Sequence, residues 1–292
     1  MKPIRKAVFP VAGLGTRMLP AAKTVAKEML PVVDRPLIAW VLEEARAAGI
    51  EHFILVTGRG KTAMEDYFDH QIELELTLKE KGKTELLEQI VSALPKEGEV
   101  SYVRQMAPHG LGHAVWCARD VVGEEPFAVL LPDVIVDAEP SCLAQAVKAY
   151  EHVGGNIVVV EQVPESETHK YGIVTPKSRN GRLIQMSGMV EKPPQGSAPS
   201  NLSVLGRYIL QPEIFPILSA QERGAGNEIQ LTDAMARLMQ QQDFHAYDYE
   251  GRSYDCGDRL GWLRANLALS LKRPDLQAAV RSMVAEEMAR AG

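Results

Sequence analysis

Short apolar runs alternate along this chain with segments whose apolar residues recur at helical spacing. KAVFPVAG near the N-terminus, HFILVT at residues 52–57 and FAVLL at residues 127–131 have the length of buried strands. Between the first two runs, a helix ending at Gly49 is indicated by apolar residues at helical spacing, namely Leu37, Ile38, Val41, Leu42 and Ala45. This strand–helix–strand order predicts a βαβ unit and therefore a parallel sheet.

The second half of the chain has shorter β segments. Further strands are indicated at residues 100–104, 156–163, 171–174, 182–190 and 203–210. We predict one Rossmann-like α/β domain over residues 1–292, with a mixed, mainly parallel sheet flanked by helices. The β additions are expected at about 164–210 and a C-terminal helical part at about 259–292, divided near Pro274.

Local signals place several helix ends. Asp34, before Arg35-Pro36, is expected to cap the first helix, and Thr232 or Asp233 to cap a later one. Residues 61–94 are helical in pattern, strongly charged and interrupted at Gly82. A solvated helical face is the preferred interpretation of that charge run.

Composition excludes several classes of protein. A formal net charge of −6 argues against a general nucleic-acid surface, and no apolar run is long enough to span a membrane. The N-terminus has no signal-peptide pattern, and the three cysteines have no metal-binding or disulfide spacing. We therefore expect a cytoplasmic α/β enzyme with free thiols.

The first strand leads into a glycine-containing turn that is rich in cations. Gly13 and Gly15 allow close approach of the backbone to an anion, and Arg17, Lys23 and Lys27 add positive charge. This combination indicates a polyphosphate site. It lacks the Gly-Lys-Ser/Thr of a Walker A loop, and Met18 stands where a dinucleotide-binding loop has its third glycine.

Two further strand ends carry candidate chemistry. The loop from Gln105 to Ala114 contains two glycines after a strand, which is typical of a ligand site but also of a tight connection. Asp133 follows the strand FAVLL, where it can either bind Mg²⁺ beside a phosphate or cap a turn. Asp137 is interpreted as structural.

These motifs together resemble the sugar-phosphate nucleotidyltransferases. The likeness is carried by Gly-x-Gly-Thr-Arg-x-x-Pro followed by Lys-Glu-Met-Leu-Pro, and by Leu-Pro-Asp, Tyr-Gly-Ile-Val, Glu-Lys-Pro and Glu-Ile-Gln-Leu-Thr-Asp further along. It extends over nearly the whole chain and is strongest toward members that use UTP. Ala26 departs from the usual proline before the lysine, a change that affects only the stiffness of the loop.

The resemblance implies roles for individual residues. It assigns Arg17, Lys27 and Lys192 to catalysis, and Asp133 and Asp255 to Mg²⁺. Gln105 is implied to contact the uracil edge, Glu191 the sugar hydroxyls and Lys192 the sugar phosphate. The full set implied in substrate binding is Ala12, Gly13, Leu14, Gly15, Thr16, Glu28, Gln105, Gly110, Gly112, His113, Tyr171, Gly172 and Glu191.

The implied reaction joins UTP and glucose 1-phosphate into UDP-glucose and pyrophosphate, with Mg²⁺ as cofactor and a homo-oligomer as the assembly. Another nucleotidyltransferase, such as a thymidylyltransferase, and a non-catalytic regulatory homologue remain alternatives. A Rossmann oxidoreductase is disfavoured by the missing third glycine. For Asp255, capping of a helix that begins near Arg259 remains an alternative to metal binding.

Overall fold

The computed structural model describes residues 1–291. Its strands are β1 Lys6–Pro10, β2 Pro31–Val32, β3 Arg35–Pro36, β4 His52–Thr57, β5 Val100–Arg104, β6 Phe127–Leu130, β7 Val134–Asp137, β8 Asn156–Gln162, β9 Gly172–Asn180, β10 Leu183–Glu191, β11 Leu202–Leu210, β12 Phe244–Asp248 and β13 Arg252–Asp255. Its helices are α1 Leu37–Ala47, α2 Thr62–Tyr67, α3 Ile72–Glu80, α4 Thr84–Ser92, α5 Leu111–Cys117, α6 Arg119–Val122, α7 Cys142–Val153, α8 Ile214–Ser219, α9 Leu231–Leu238, α10 Arg259–Ser270 and α11 Gln277–Ala291.

A nine-stranded mixed sheet organises the fold, in the order β5-β4-β1-β6-β11-β8-β12-β10-β9. Strands β5, β4, β1 and β6 are parallel, as are β8 and β12. Strand β11 runs antiparallel to both of its neighbours, and the β9–β10 hairpin closes the far end. The predicted mixed sheet flanked by helices is confirmed, and its parallel part brings four strand ends to one edge.

The sheet is covered on both faces, because successive side chains of a strand point to opposite sides. In β1, Val8 packs with the apolar cluster that includes α5, α8 and α9, whereas Ala7 and Phe9 pack with α1 and α7. A third, smaller cluster joins α10 to β2, β7 and Tyr254. This third cluster holds the C-terminal part against the edge of the sheet where the strands end.

Some helix ends differ from the predictions. Helix α1 begins at Leu37 without a side-chain cap, and Asp34 forms an ion pair with Arg273 instead. Helix α9 begins at Leu231, so Thr232 and Asp233 lie inside its first turn and do not cap it. Both predictions were wrong because these polar side chains do not mark the helix starts: α1 begins later than a cap at Asp34 requires, and α9 begins earlier than a cap at Thr232 or Asp233 requires.

The charged segment folds as α2, α3 and α4, with the predicted break at Gly82 and a second break after Tyr67. Most of its side chains are exposed, as predicted. Among the described residues, no helix is long and apolar enough to cross a membrane.

Candidate active site

A cleft of about 520 Å³ lies where the parallel strands end. Most of the residues predicted for the phosphate and base sites line it, namely Ala12, Gly13, Leu14, Gly15, Thr16, Arg17, Lys27, Gln105, Gly110, Asp133 and Lys192. The volume is within the range of ordinary ligand pockets. The cleft is therefore assembled from separate parts of the chain: the loops after β1, β5 and β6, the end of β10, and single residues before α9 and after β13.

The turn after β1 places its two glycines in different surroundings. Gly15 has a φ of +66°, and a Cβ there would lie 3.2 Å from the Cβ of Ala22. The backbone conformation and the close neighbour therefore both favour glycine at this position. A Cβ on Gly13 would meet no atom within 4 Å, so open space borders that position. Lys23 is exposed and does not line the cleft, whereas Arg17 and Lys27 both line it.

Lys27 and Asp133 form the central ion pair of the cleft. Lys27 Nζ lies 2.5 Å from Asp133 Oδ2, and Arg17 Nη2 lies 3.6 Å from the same oxygen. Burial alone would raise the pKa of Asp133, but the Lys27 ammonium outweighs it and holds the pKa below its ordinary value. Burial acts against the charge of Lys27 in the same way, and Asp133 holds the pKa of Lys27 above its ordinary value. Both groups are therefore charged at neutral pH.

A small two-stranded sheet brings Asp255 to this pair. Strands β7 and β13 are antiparallel, with Asp255 opposite Val134, and the Cys256 N–H donates to the Asp133 carbonyl at 2.7 Å. Asp255 Oδ2 lies 3.5 Å from Arg17 Nη1. The sequence pattern did not predict this pairing, because both strands are only four residues long.

Asp255 does not cap the following helix. The N-cap of α10 is Asp258, whose carboxylate accepts a hydrogen bond from the Gly261 N–H at 2.8 Å. Asp255 Oδ1 instead accepts from the Gly257 N–H at 2.8 Å. The capping alternative for Asp255 is therefore excluded, and its second oxygen faces Arg17.

The carboxylates of Asp133 and Asp255 fit a hard cation whose other ligands do not come from protein side chains. A Cβ on Gly257 would clash with Arg17 Nη2 and would lie 2.8 Å from Asp255 Oδ1 and 2.9 Å from Asp133 Oδ2, so glycine leaves room for the Arg17 guanidinium, which contacts both carboxylates. Burial and then the Asp133 charge raise the pKa of Asp255, a cost that a cation would remove. Within residues 1–291, no three metal-binding side chains converge, so phosphate oxygens and water would have to complete an octahedral shell.

The loop after β5 forms the opposite wall. Gly110 has a φ of +109°, and a Cβ there would lie 2.7 Å from the Ile229 carbonyl; a Cβ on Gly112 would lie 2.8 Å from the same oxygen. Both glycines are therefore required by packing against residues 228–230, in addition to the substrate binding that the resemblance implied for them. Gly112 lies under the loop, and His113 contacts Gln105 without lining the cleft.

The predicted sugar-side residues meet at the end of the β9–β10 hairpin. Gly172 lies opposite Glu191, and the Lys192 N–H donates to the Tyr171 carbonyl at 3.0 Å. Lys192 Nζ lies 3.4 Å from Glu191 Oε1, and 54% of the Lys192 side chain is exposed toward the cleft opening. Thr232 Oγ1 donates to Glu191 Oε2 at 2.8 Å, which fixes the carboxylate.

Comparison with known proteins assigns the chain to a family. A sequence model of the nucleotidyl transferases matches residues 6–270. The chain belongs to the nucleotidyl transferase family. It is 53% identical to the UTP–glucose-1-phosphate uridylyltransferase of Bacillus subtilis over 277 residues, 95% of this chain and 94% of that protein. The resemblance inferred from the motifs is confirmed.

Solved structures resemble this nucleotidyl transferase over most of its length. A UTP-bound UGPase from Acinetobacter baumannii is 47% identical and superposes with a TM-score of 0.90, covering 97% of this chain and 99% of that one. A UDP-glucose pyrophosphorylase complexed with UDP-glucose is 43% identical, with a TM-score of 0.82, covering 92% of this chain and 100% of that one.

Glu28 lies apart from the other predicted residues of this nucleotidyl transferase. Its side chain is fully buried and paired with Lys61 Nζ at 2.7 Å, and it does not line the cleft. Among the described residues, Glu28 Oε1 has no hydrogen-bond partner, and burial raises the pKa of the group. The short turn Lys27–Met29 turns Lys27 toward the cleft and Glu28 into the interior, so direct substrate contact by Glu28 does not fit.

Some cleft residues of this nucleotidyl transferase were not singled out from the sequence. They are Pro10, Leu111, Ala114, Leu131, Pro132, Glu228 and Gly257. Glu228 opens the Glu-Ile-Gln-Leu-Thr-Asp motif and Gly257 stands two residues after Asp255, so the sequence located both without showing that they face the cleft. Leu131 and Pro132 belong to the Leu-Pro-Asp motif, and the other apolar residues gave no signal distinct from core packing.

Proposed function

We propose that this nucleotidyl transferase is a UTP–glucose-1-phosphate uridylyltransferase. The observation that carries the proposal is the meeting, in one cleft, of the glycine-containing turn after β1, three cations, Asp133 and the Gln105 amide, with Asp255 beside it in reach of Arg17. Relatives bearing that name or bound to UTP or UDP-glucose support the choice of substrates. We also propose a cytoplasmic location, since all three cysteines are free thiols.

In the proposed reaction, a phosphate oxygen of glucose 1-phosphate attacks the α-phosphorus of UTP. A P–O bond forms there, the bond to the β-phosphate breaks, and pyrophosphate leaves with the electron pair. The nucleophile is already an anion at neutral pH, so no side chain needs to remove a proton. The residues must align the two phosphates and neutralise their charge.

The charged residues divide this work by position. Arg17, Lys27 and the turn at residues 12–16 are proposed to bind the triphosphate. Lys192 would hold the sugar phosphate, and Glu191 would accept hydrogen bonds from sugar hydroxyls. Tyr171 and Gly172 lie beside Glu191 and Lys192, paired with them through the backbone.

We also propose Mg²⁺ as the cofactor, held by Asp133 and Asp255. When bound, it would neutralise charge on the phosphate oxygens. Support comes from the acidic pair and from Gly257, where any side chain would crowd the two carboxylates and Arg17.

A homo-oligomer is proposed as the assembly. Helix α10 buries Ala265 and Leu269 but exposes leucines at positions 260, 263 and 267, which share one helical face. Core packing within one chain does not account for that face, whereas a second copy of the chain would cover it.

The test of the proposed activity is pyrophosphate release from UTP, dTTP, CTP and GTP, each with several sugar 1-phosphates. We expect UTP with glucose 1-phosphate to give the highest kcat/KM. A higher value for dTTP would favour the thymidylyltransferase alternative. Tight UTP binding without turnover of any pair would favour the non-catalytic regulatory homologue.

A further inference from the structure

We propose that His113 is a positioning residue that sets the direction of the Gln105 side-chain amide and thereby makes base selection pH-dependent. The inference deepens the proposed function, because it rests on UTP as the nucleotide. His113 itself lies behind Gln105 and does not line the cleft.

The orientation of the Gln105 amide is determined by a backbone group. The Gln105 amide atom nearest the Gly110 carbonyl lies 3.1 Å from that oxygen. Since a carbonyl oxygen can only accept, the atom facing it must be the amide nitrogen, Nε2. The same nitrogen lies 2.9 Å from His113 Nδ1.

This contact specifies the protonation state of His113. An amide nitrogen only donates, so Nδ1 must accept, and the proton of the neutral ring must then be on Nε2. A protonated imidazole carries hydrogen on both nitrogens and would place two donors against each other. Neutral His113 therefore stabilises the observed amide direction, and protonated His113 opposes it.

The direction of the amide decides which base fits. With Nε2 held by Gly110 and His113, Oε1 is the atom left for the cleft, and it accepts no hydrogen bond from residues 1–291. Uracil presents a donor at N3, whereas cytosine presents an acceptor there. An acceptor fixed at Oε1 consequently favours uracil, and it leaves cytosine facing an acceptor.

Protonation of His113 would put the two constraints on Gln105 in conflict. If the Gln105 amide keeps its hydrogen bond to the Gly110 carbonyl, its Nε2 faces the Nδ1–H of His113, and two donors oppose each other. If the amide flips, its Oε1 faces the Gly110 carbonyl, and two acceptors oppose each other. One contact is lost in either case, so Oε1 is no longer held toward the base. The preference for uracil over cytosine should therefore weaken as His113 becomes charged.

The surroundings of His113 favour its neutral form at physiological pH. The His109 ring is 5.1 Å away in an edge-on arrangement, the Trp116 ring stacks at 5.6 Å, and Cys117 Sγ lies 3.9 Å from Nδ1. Arg223 reaches His109 Nδ1 at 3.4 Å, and the nearby Glu228 accepts from Gln230. Burial, then His109 and Arg223, lower the pKa of His113 below its ordinary value.

The test is calorimetric binding of UTP and of CTP between pH 8 and pH 5.5, which requires no turnover. The ratio of Kd for CTP to Kd for UTP should be constant above neutrality and fall by about tenfold on acidification, the effect of one mismatched buried hydrogen bond. The ratio also cancels titration of the triphosphate, which both nucleotides share.

Three variants separate positioning from general structure. His113→Asn places an oxygen acceptor near the position of the His113 Nδ1 at every pH. The ratio of Kd for CTP to Kd for UTP should therefore stay high at every pH in this variant. His113→Gln repeats the test if the first variant folds poorly. His109→Asn should keep the fall but move it to higher pH, because His109 lowers the pKa of His113. Gln105→Ala should have a low ratio throughout.

A pH-independent ratio in the wild type, or an unchanged fall in a folded His113→Asn, would overturn the proposal. Failure of the proposed function has a different signature, namely no pyrophosphate release from UTP with any sugar 1-phosphate at pH 8. The binding ratios still decide the role of His113 in that case.

Discussion

At the scale of single residues, the cations of the cleft differ in how firmly they are held. Lys27 is mostly buried and has a short contact with Asp133, whereas 59% of the Arg17 side chain is exposed. Arg17 reaches both carboxylates only at 3.5–3.6 Å. Its guanidinium is therefore available to a phosphate, while Lys27 is fixed in place before any ligand binds.

Arg17→Ala should lower kcat by about 10²- to 10³-fold, the usual effect of removing one charge-stabilising contact. The melting temperature should hardly change, because the ion pairs of Arg17 are long and largely exposed. Steady-state pyrophosphate release and thermal unfolding measure the two quantities. Lys23→Ala is the matched control, an exposed cation of the same loop outside the cleft; equal effects in both variants would contradict the assignment.

Asp255→Asn should raise the Mg²⁺ concentration required for half-maximal rate, because one carboxylate ligand is lost. Burial and the Asp133 charge raise the pKa of Asp255, so its ionised form costs stability at neutral pH. The variant should therefore melt at the same or a higher temperature than the wild type. Asp258→Asn is the control, since it alters the α10 cap alone and asparagine caps equally well. An unaltered Mg²⁺ requirement in Asp255→Asn would remove this residue from the metal site.

The sequence located the charged residues well but could not show their direction. Arg17, Lys27 and Asp133 were predictable because phosphate chemistry needs those groups at strand ends. Glu28 stands next to Lys27, yet it points into the interior toward Lys61, 33 residues away in the chain. A partner at that distance in sequence leaves no periodic signal.

At the scale of elements, strand β11 supports the turn that carries Asp133. Arg207 is fully buried in β11 and donates to the Leu131 carbonyl at 3.1 Å and to the Val134 carbonyl at 2.7 Å. Its charge is balanced by Glu44 of α1, with Arg207 Nη2 2.7 Å from Glu44 Oε2. Both sides of the Asp133 turn are thus tied to a buried ion pair.

Arg207→Met should lower the free energy of unfolding by about 3–5 kcal/mol, because Glu44 would remain buried without its partner. Urea denaturation measures the change. Arg182→Met is the control, since the Arg182–Glu250 pair is exposed and should contribute less than about 1 kcal/mol. Similar losses in the two variants would show that the buried pair has no special role.

The predictability of the elements followed their length and burial. Strands β4 and β5 were predicted to the residue, because each is a short run in the expected βαβ order. The β7–β13 pairing was missed, since strands of four residues that are distant in sequence give no alternating pattern long enough to recognise. That pairing is what places Asp255, so the least predictable element completes the acidic pair.

At the scale of the whole molecule, the proposed oligomer depends on the exposed face of α10. Leu263 is 56% exposed and Leu267 is 41% exposed. The double change Leu263→Glu and Leu267→Glu should convert the oligomer to a monomer, because two charges would be buried in the interface. Light scattering coupled to gel filtration measures the mass.

Leu76→Glu is the control for that experiment, because Leu76 is 53% exposed and belongs to α3, outside the α10 face. It should leave the mass unchanged. A wild-type monomer would refute the assembly. If only Leu76→Glu dissociated the oligomer, the interface would be assigned to the α3–α4 hairpin.

The cleft as a whole was predictable because its parts follow strands whose carboxyl ends share one edge of the sheet. Substrate identity was not, since the choice between related bases depends on the direction of single groups such as the Gln105 amide. The motifs gave the family, and the contacts of the loop after β5 give the reason to expect a preference for uracil.

The most direct test of the proposed activity is ³¹P NMR of the protein with UTP, glucose 1-phosphate and Mg²⁺. We predict that UDP-glucose and pyrophosphate appear in equal amounts with wild type and Lys23→Ala, and at a rate lower by about 10²- to 10³-fold with Arg17→Ala. Unchanged substrate signals with the wild type, or release of pyrophosphate without UDP-glucose, would contradict the proposed function.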